Sequence, residues 1–434
     1  MRAERFELGS GTDERTSELA RSIRALAPPP AGVREAVAEI VEDVRLRGDQ
    51  AVSEWTHRFD PERVGPAYAS EREVQDQLER LDPAVRASLE RAIANVRQTA
   101  EAELREGVRV DLPEQQRIEL RELPVRRAGV YAPAGRAAYP STVVMCAVPA
   151  RVAGVEELIV MTQPGSEDAY RAILAACALC GVDDVYFAGG AQAIAALAFG
   201  TETIDAVDVI VGPGNAYVQE AKRQVVGRVG IDGVEGPTEL VVVADESTDP
   251  ELAALDLAAQ GEHGPETLLV LATPSESVLE AVAAAAAKLS TERPTVSDAP
   301  LALVRTTSLE TAVKLASAIA PEHLELAVAD GEALLPLVRA AGCVFLGRNG
   351  GAAFGDYVAG SNHVLPTGGA ARFAGPLGVT TFLRRQALVS LPHSAVERLA
   401  PFVGALARAE GFPVHAASAE ARSQLDPSEP GASE

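Results

Sequence analysis

The chain has 434 residues, with 39 Lys and Arg against 62 Asp and Glu, a formal net charge of −23. That excess of acid argues against a protein that tracks phosphate backbones with basic side chains. The N-terminal stretch MRAERFELGSGTDERTSE is charged throughout and has no apolar signal core, and the most membrane-like run, AVAAAAAKLS, is short and broken by Lys288. The expectation is a soluble, cytoplasmic protein that binds neither nucleic acid nor membrane.

From Val33 to Trp55, the residues Val33, Val37, Ile40, Val41, Val44, Val52 and Trp55 recur at helical spacing with charges between them. Residues 117–134 read as extended segments. Short apolar runs then alternate with helical ones: ELIVMTQP and DAYRAILAACALCG, DVYFAGG and AQAIAALAFG, VDVIVGPG and NAYVQEAKRQVVG. Such alternation predicts right-handed βαβ units around a parallel sheet. It restarts at ELVVVAD (239–245) and continues through TLLVLAT, LALVRTT, LELAVAD and CVFLG with helical stretches between. A length beyond what one core sustains fits two α/β sheets in series. With 47% hydrophobic but only 4% aromatic residues, both cores must be aliphatic. Between Gly347 and Gly378 periodicity gives way to a glycine-rich stretch holding Asp, Asn and His, the composition of a functional loop. Two modest helical stretches are predicted beyond Thr380, and the end, SQLDPSEPGASE, reads as frayed.

Chemistry has few carriers. Lysine occurs only at 222, 288 and 314, none in a glycine-rich or polar setting, so a Schiff base has no good candidate. Cys146, Cys177, Cys180 and Cys343 all lie in apolar runs, unlike a disulfide scaffold. Cys177 and Cys180 form a C-x-x-C that reads as a buried helix ending at Gly181, because no second pair or nearby His completes a zinc site. No G-x-G-x-x-G opens a helix and no Walker motif is present. The strand ends 189–201 and 211–218 are the anion-facing candidates, although a strand-to-helix turn needs glycine anyway.

The six histidines are more informative. Gln260 and His263, three apart at the end of an apolar helix, share a face and suit one metal ion; alternatively His263 complements the helix dipole. Glu322 and His323 follow Pro321 between a helix and a strand, either as a general acid–base pair or as a solvated turn. Asp356 and His363 lie in the glycine-rich stretch, and Glu410 and His415 near the C-terminus. A metal site assembled from several of these segments has spacings too wide for a local zinc motif.

The segments GVYAPAGRAAYPSTVVM (129–145), GGAQAIAALAFGT (189–201), VGPGNAYV (211–218), EGPTEL (235–240), QGEHGPE (260–266), PEHLEL (321–326), GDYVAGSNHVLPTGGAARFAGPLGV (355–379) and EGFPVH (410–415) occur in the order seen in the histidinol dehydrogenase family. The chain resembles that family over nearly its whole length. The resemblance implies a zinc-dependent enzyme of histidine biosynthesis that oxidises L-histidinol through L-histidinal to L-histidine with two NAD⁺. It implies zinc ligands Gln260, His263, Asp356 and His415, one Zn²⁺ per subunit, and the acid–base pair Glu322 and His323. Substrate contacts would fall on Thr238, Gln260, His263, Glu322, His323, Asp356, Glu410 and His415, and NAD contacts on Tyr131, Gln192 and Asn215. The family's fold implies two incomplete Rossmann-like parallel-sheet domains, an N-terminal helical arm (1–25) and a C-terminal helical tail (381–434) that crosses to the partner subunit of a homodimer. The first α/β domain is expected from 26–128 with 239–380, and the second, NAD-binding domain from 129–238. Thr238 stands where the family usually has Ser, and Gly261 and GVEGPTEL are atypical around familiar anchors. The alternative is a paralogous zinc and NAD dehydrogenase acting on another small polar alcohol or diol.

Overall fold

The computed structural model describes residues 1–9, 12–28, 32–61, 67–134, 138–163, 166–182, 184–234, 236–296 and 298–425. Parts of two motifs, residues 135–137 and 235, and most of the tail expected to fray, 426–434, lie outside the described residues.

In chain order the elements begin with β1 (Arg2–Leu8), α1 (Asp13–Arg24), α2 (Val33–Arg47), α3 (Asp49–Phe59) and β2 (Tyr68–Ala69). Then come α4 (Glu71–Glu79), α5 (Pro83–Glu103), β3 (Val108–Asp111), β4 (Arg117–Pro124) and β5 (Arg127–Ala132). The first βαβ series continues with α6 (Pro140–Ala153), β6 (Glu157–Thr162), α7 (Glu167–Cys180), β7 (Asp184–Phe187), α8 (Gly190–Phe199), β8 (Val209–Val211), α9 (Ala216–Val225) and β9 (Gly230–Ile231). The second comprises β10 (Glu239–Ala244), α10 (Pro250–Gly261), β11 (Leu268–Thr273), α11 (Glu276–Glu292), β12 (Pro300–Thr306), α12 (Leu309–Ile319), β13 (His323–Ala327) and β14 (Cys343–Leu346). Last are α13 (Ala352–Tyr357), β15 (Leu383–Ser390), α14 (His393–Ala409) and α15 (Pro413–Arg422).

The chain divides into two compact units, Met1–Glu103 with Val125–Phe382, and Leu104–Pro124 with Leu383–Glu434. The first unit holds two six-stranded sheets. One has the order β1-β12-β11-β10-β13-β14 and is parallel throughout. Every residue of β10 and β11 is buried, as expected of strands covered on both faces. Alternate side chains face opposite ways, so Leu240, Val242, Leu269 and Leu271 pack against α10 and α11. Val241, Val243, Val270 and Ala272 meet Ile23 of α1 and Val313 and Ile319 of α12 on the other face. The second sheet, β2-β7-β6-β5-β8-β9, is parallel except for β2, which runs antiparallel to β7. Its core joins Ile159, Met161 and Ile210 to Ile194 and Leu197 of α8 and to Val37, Ile40 and Val44 of α2. The aliphatic α/β architecture expected from the sequence is therefore present.

Three expectations are corrected. The N-terminal arm opens with a strand, β1, whose residues pair in register with β12 from Arg2↔Pro300 to Leu8↔Thr306. Its charged sequence hides it because it is an edge strand exposed on most of its length. The span 26–128 is expected with 239–380, yet within it α2 packs on α8 and α9, α3 on α8, α4 on α7 and α5 on α6, and β2 extends the second sheet. Apolar periodicity marks a helix but not which sheet it covers. The C-terminal tail begins with β15 rather than a helix; LRRQALVS pairs antiparallel with β4 in the second unit, in a sheet of order β15-β4-β3. In that unit α14 and α15 pack together, Gly404 allowing the approach of Glu420. No helix among the described residues is long and apolar enough to cross a membrane.

Candidate active site

Neighbouring strands bring the central residues together. β10 pairs with β13 in the register Leu240↔His323, so Thr238 and Glu239 lie beside Glu322 and His323 at the amino ends of these strands. Glu322 Oε2 accepts from the Glu239 amide at 3.0 Å and from the Thr238 hydroxyl. That hydroxyl in turn accepts from the Gln260 amide nitrogen. His323 directs Nδ1 at the Glu239 carbonyl, 3.3 Å away, and Nε2 at Asp356 Oδ1, 3.1 Å away. Phe345 stacks on the His323 ring at 5.9 Å.

The local fold explains why the pair sits where it does. α12 is capped by Ala320 in the left-handed region (φ 51°), and Pro321 prevents the helix from continuing. Arg24 from α1 donates to the carbonyls of Ile319 and Ala320 and pairs with Glu239 at 2.5 Å, clamping the turn that leads into Glu322. Asp356, expected in a loop, is instead on α13. The Glu325 carboxylate receives the Ala352 amide at 2.8 Å and so starts that helix from a distant strand, a contact no local pattern encodes.

Gln260, Glu322 and His323 are 3%, 8% and 2% exposed, so the charges of Glu322 and His323 act with little screening from water. Burial disfavours the His323 imidazolium, but the Glu322 charge and the hydrogen bond to Asp356 outweigh it and hold His323 well above its ordinary range. Asp356 is pushed up by burial and pulled further down by the His323 hydrogen bond and charge. Burial lowers His363 and keeps it neutral. Its Nδ1 faces the Asp356 carbonyl at 2.7 Å, so it donates there, and Nε2 accepts from Thr142 at 3.1 Å.

Thr238, Gln260, Glu322, His323 and Asp356 are thus gathered. His263 is two residues beyond the end of α10, with Nδ1 3.2 Å from the Gln260 carbonyl and its ring stacked on Tyr139 at 6.4 Å. Glu410 caps the C-terminal end of α14 and His415 lies in the first turn of α15, both exposed and both in the second unit. Among the described residues no group of three or more His, Cys, Asp or Glu forms a metal cluster. The donor set of the first unit nevertheless fits a zinc ion. The Gln260 nitrogen is committed to Thr238, leaving the amide oxygen as the ligating atom, Asp356 is held ionised, and His263 is oriented by a carbonyl on Nδ1 in the manner of metal-binding histidines.

The NAD candidates gather at the carboxyl edge of the second sheet. Strand order reverses between β5 and β8, the position where open α/β sheets form a ligand crevice. Tyr131 is the penultimate residue of β5 there, and its hydroxyl accepts the Gly190 amide at 3.0 Å. Gln192 is 1% exposed, its nitrogen 3.5 Å from Thr56 and its Oε1 without a partner among the described residues. Asn215 caps α9 through the amides of Tyr217 and Val218. Gly212, at φ 112°, brings this turn against the Tyr131 carbonyl, where a Cβ would clash at 2.2 Å.

Cys146, Cys177 and Cys180 are buried in α6 and α7, and burial pushes the Cys146 and Cys180 thiols up, away from nucleophilic or ligating use. Sequence reading missed Arg24, Glu239, Tyr139 and Phe345, whose partners lie far along the chain; only the single charge inside the apolar run of β10 marked Glu239.

The histidinol dehydrogenase family model matches residues 29–423. A histidinol dehydrogenase of Pseudomonas fluorescens is 42% identical over 399 residues, 90% of this chain and 90% of that one. One of Chromobacterium violaceum is 43% identical over 421 residues, covering 93% and 96%. The crystal structure of histidinol dehydrogenase from Elizabethkingia anophelis superimposes with a TM-score of 0.87 at 28% identity, over 96% of this chain and 97% of that chain. Matched in sequence and in fold over most of its length, the chain belongs to the histidinol dehydrogenase family and is an oxidoreductase of that type.

Proposed function

We propose that the protein is a zinc-dependent enzyme that oxidises L-histidinol through L-histidinal to L-histidine with two NAD⁺, as a cytoplasmic homodimer with shared sites. The observation that carries this reading is the buried chain Gln260–Thr238–Glu322 beside His323–Asp356. Gln260, His263 and Asp356, with His415 from the crossed tail of the other subunit, would hold one zinc per subunit, where the ion supplies a Lewis acid that binds and orients the amino alcohol. NAD⁺ accepts hydride, and Tyr131, Gln192 and Asn215 would hold it at the crevice of the second sheet.

The chain's own residues handle protons and position. With Asp356 turned to the metal, the neutral form of His323 would take the alcohol proton on the freed Nε2 as hydride leaves, and the flanking Glu322 and Asp356 carboxylates, which raise its proton affinity, stabilise the imidazolium that results. Glu322, steadied by the Glu239 amide and the Thr238 hydroxyl, then removes a proton from the water that attacks the aldehyde. The resulting hydrate would give its hydride to the second NAD⁺, and the remaining acid proton leaves to solvent as the carboxylate forms. Thr238, Gln260, His263, Glu322, His323 and Asp356, with Glu410 and His415, would surround the substrate, and burial of the central groups keeps bulk water from the aldehyde.

The test is stoichiometry. Zinc-loaded protein is expected to form about two NADH per L-histidinol and to stop on chelation. Release of L-histidinal after one NADH, or turnover of other small alcohols but not L-histidinol, would reject the assignment.

A further inference from the structure

Three of the elements that bring first-unit residues to the site also contribute to a second layer beneath it. On α10, Asp256 lies one turn before Gln260, on the same face. On β13, Glu325 follows His323 by two residues and shares its side of the strand. On α13, Gly351 and Ala352 lie about one turn before Asp356. The three meet: Glu325 accepts the Ala352 amide at 2.8 Å and is hydrogen-bonded to Asp256, and a Cβ on Gly351 would stand 3.1 Å from Asp256 Oδ1.

Glu325 is 2% exposed. The groups that face it are Asp256 from α10, the Ala352 amide from α13 and the His323 charge on its own strand, while the residues opposite it on β10 and β14 are the uncharged Val242 and Phe345. A buried and a partly buried carboxyl in contact ionise together only at high cost, so one proton stays between them. We propose that Asp256 and Glu325 act as a pair of positioning residues that shares this proton and locks α10 to α13, so that Gln260 and Asp356 are presented to the metal together. The role rests on the zinc reading given above. Burial first, and then the Asp256 charge, push Glu325 up to about 8, and burial also raises Asp256, the directions expected if Glu325 holds the proton and donates it to Asp256.

The test compares wild type, Glu325→Ala and Glu325→Gln by hydrogen exchange of the 352–357 amides in metal-free protein and by zinc affinity in competition with a chelator. Glu325→Ala is expected to expose the α13 amides and weaken zinc binding by about 10–100-fold, the usual effect of removing a group that orients metal ligands. Glu325→Gln, whose amide donates to Asp256 and accepts from Ala352, should restore both. Between pH 6 and pH 9 wild-type α13 should open beyond the intrinsic base catalysis of exchange as the shared proton is lost, about the value where Glu325 titrates. Glu325→Gln should not show that opening. Wild-type behaviour of Glu325→Ala, or failure of Glu325→Gln to rescue, overturns the proposal. If wild type binds no zinc but the exchange pattern holds, the metal reading falls and the lock stands; if zinc binds and the α13 amides are indifferent to position 325, the lock falls. Should Glu325→Ala not fold, Gly351→Ala crowds the same Asp256 oxygen more gently, and the same loss of protection and affinity is expected.

Discussion

Thr238 uses one hydroxyl twice, accepting from Gln260 and donating to Glu322, so a candidate ligand and a candidate acid–base group move as one. The methyl that separates it from the family's usual serine has no part in that relay. Thr238→Ser should therefore keep kcat/KM close to wild type, whereas Thr238→Val strands two largely buried polar groups. The latter costs about 1–3 kcal/mol, read as roughly a tenfold to hundredfold fall in kcat/KM. Roles divide in the same way among the histidines. His323→Asn should retain zinc and lower kcat by about 10²–10⁴, the scale of general acid–base catalysis. His263→Ala and His415→Ala should lose zinc together with activity, and metal analysis beside the assay separates the two outcomes. These residues were visible in the sequence because His is rare in this chain and stands beside Glu, Gln or Asp. Their hydrogen bonds were not, because Thr238 and Glu322 are 84 residues apart.

At the scale of elements, Arg24 shows how a segment taken for an appendage supports the centre. It neutralises Glu239, which burial pushes up and the Arg24 charge and hydrogen bond pull back, and it closes the Ala320 turn before Glu322. Arg24→Ala leaves that carboxylate buried without its partner. The expected loss is about 3 kcal/mol, the low end for a broken buried pair because Arg24 is itself a quarter exposed, measurable as a lower urea midpoint. Helices α2, α7 and α10 were legible from periodicity. β1 and β15 were not, since edge strands with charged, exposed side chains lack the alternation that marks a half-buried strand. α13 escaped for another reason: six residues containing a glycine have little intrinsic helicity, and the Glu325 carboxylate supplies the cap from β13.

For the whole molecule, the two sheets divide the labour proposed for them. The candidate catalytic residues lie at the amino ends of β10 and β13, and the NAD candidates at the carboxyl edge of β5 and β8. If Glu410 and His415 complete a partner's site, mixing a His415→Ala protein with a His323→Asn protein should recover activity in the heterodimer. Absence of recovery in isolated heterodimers would place all the ligands of a site within one chain. By itself the sequence determined the aliphatic α/β class and the order of the βαβ units, and it singled out the residues proposed for proton transfer and metal binding, because period and chemical type are local properties. Tertiary structure alone decided that helices 33–103 cover the second sheet, that Arg24 closes the turn before Glu322, and that Asp256 and Glu325 meet beneath the site. Those contacts join segments tens to hundreds of residues apart, and strand register and packing, which no local pattern contains, bring them together.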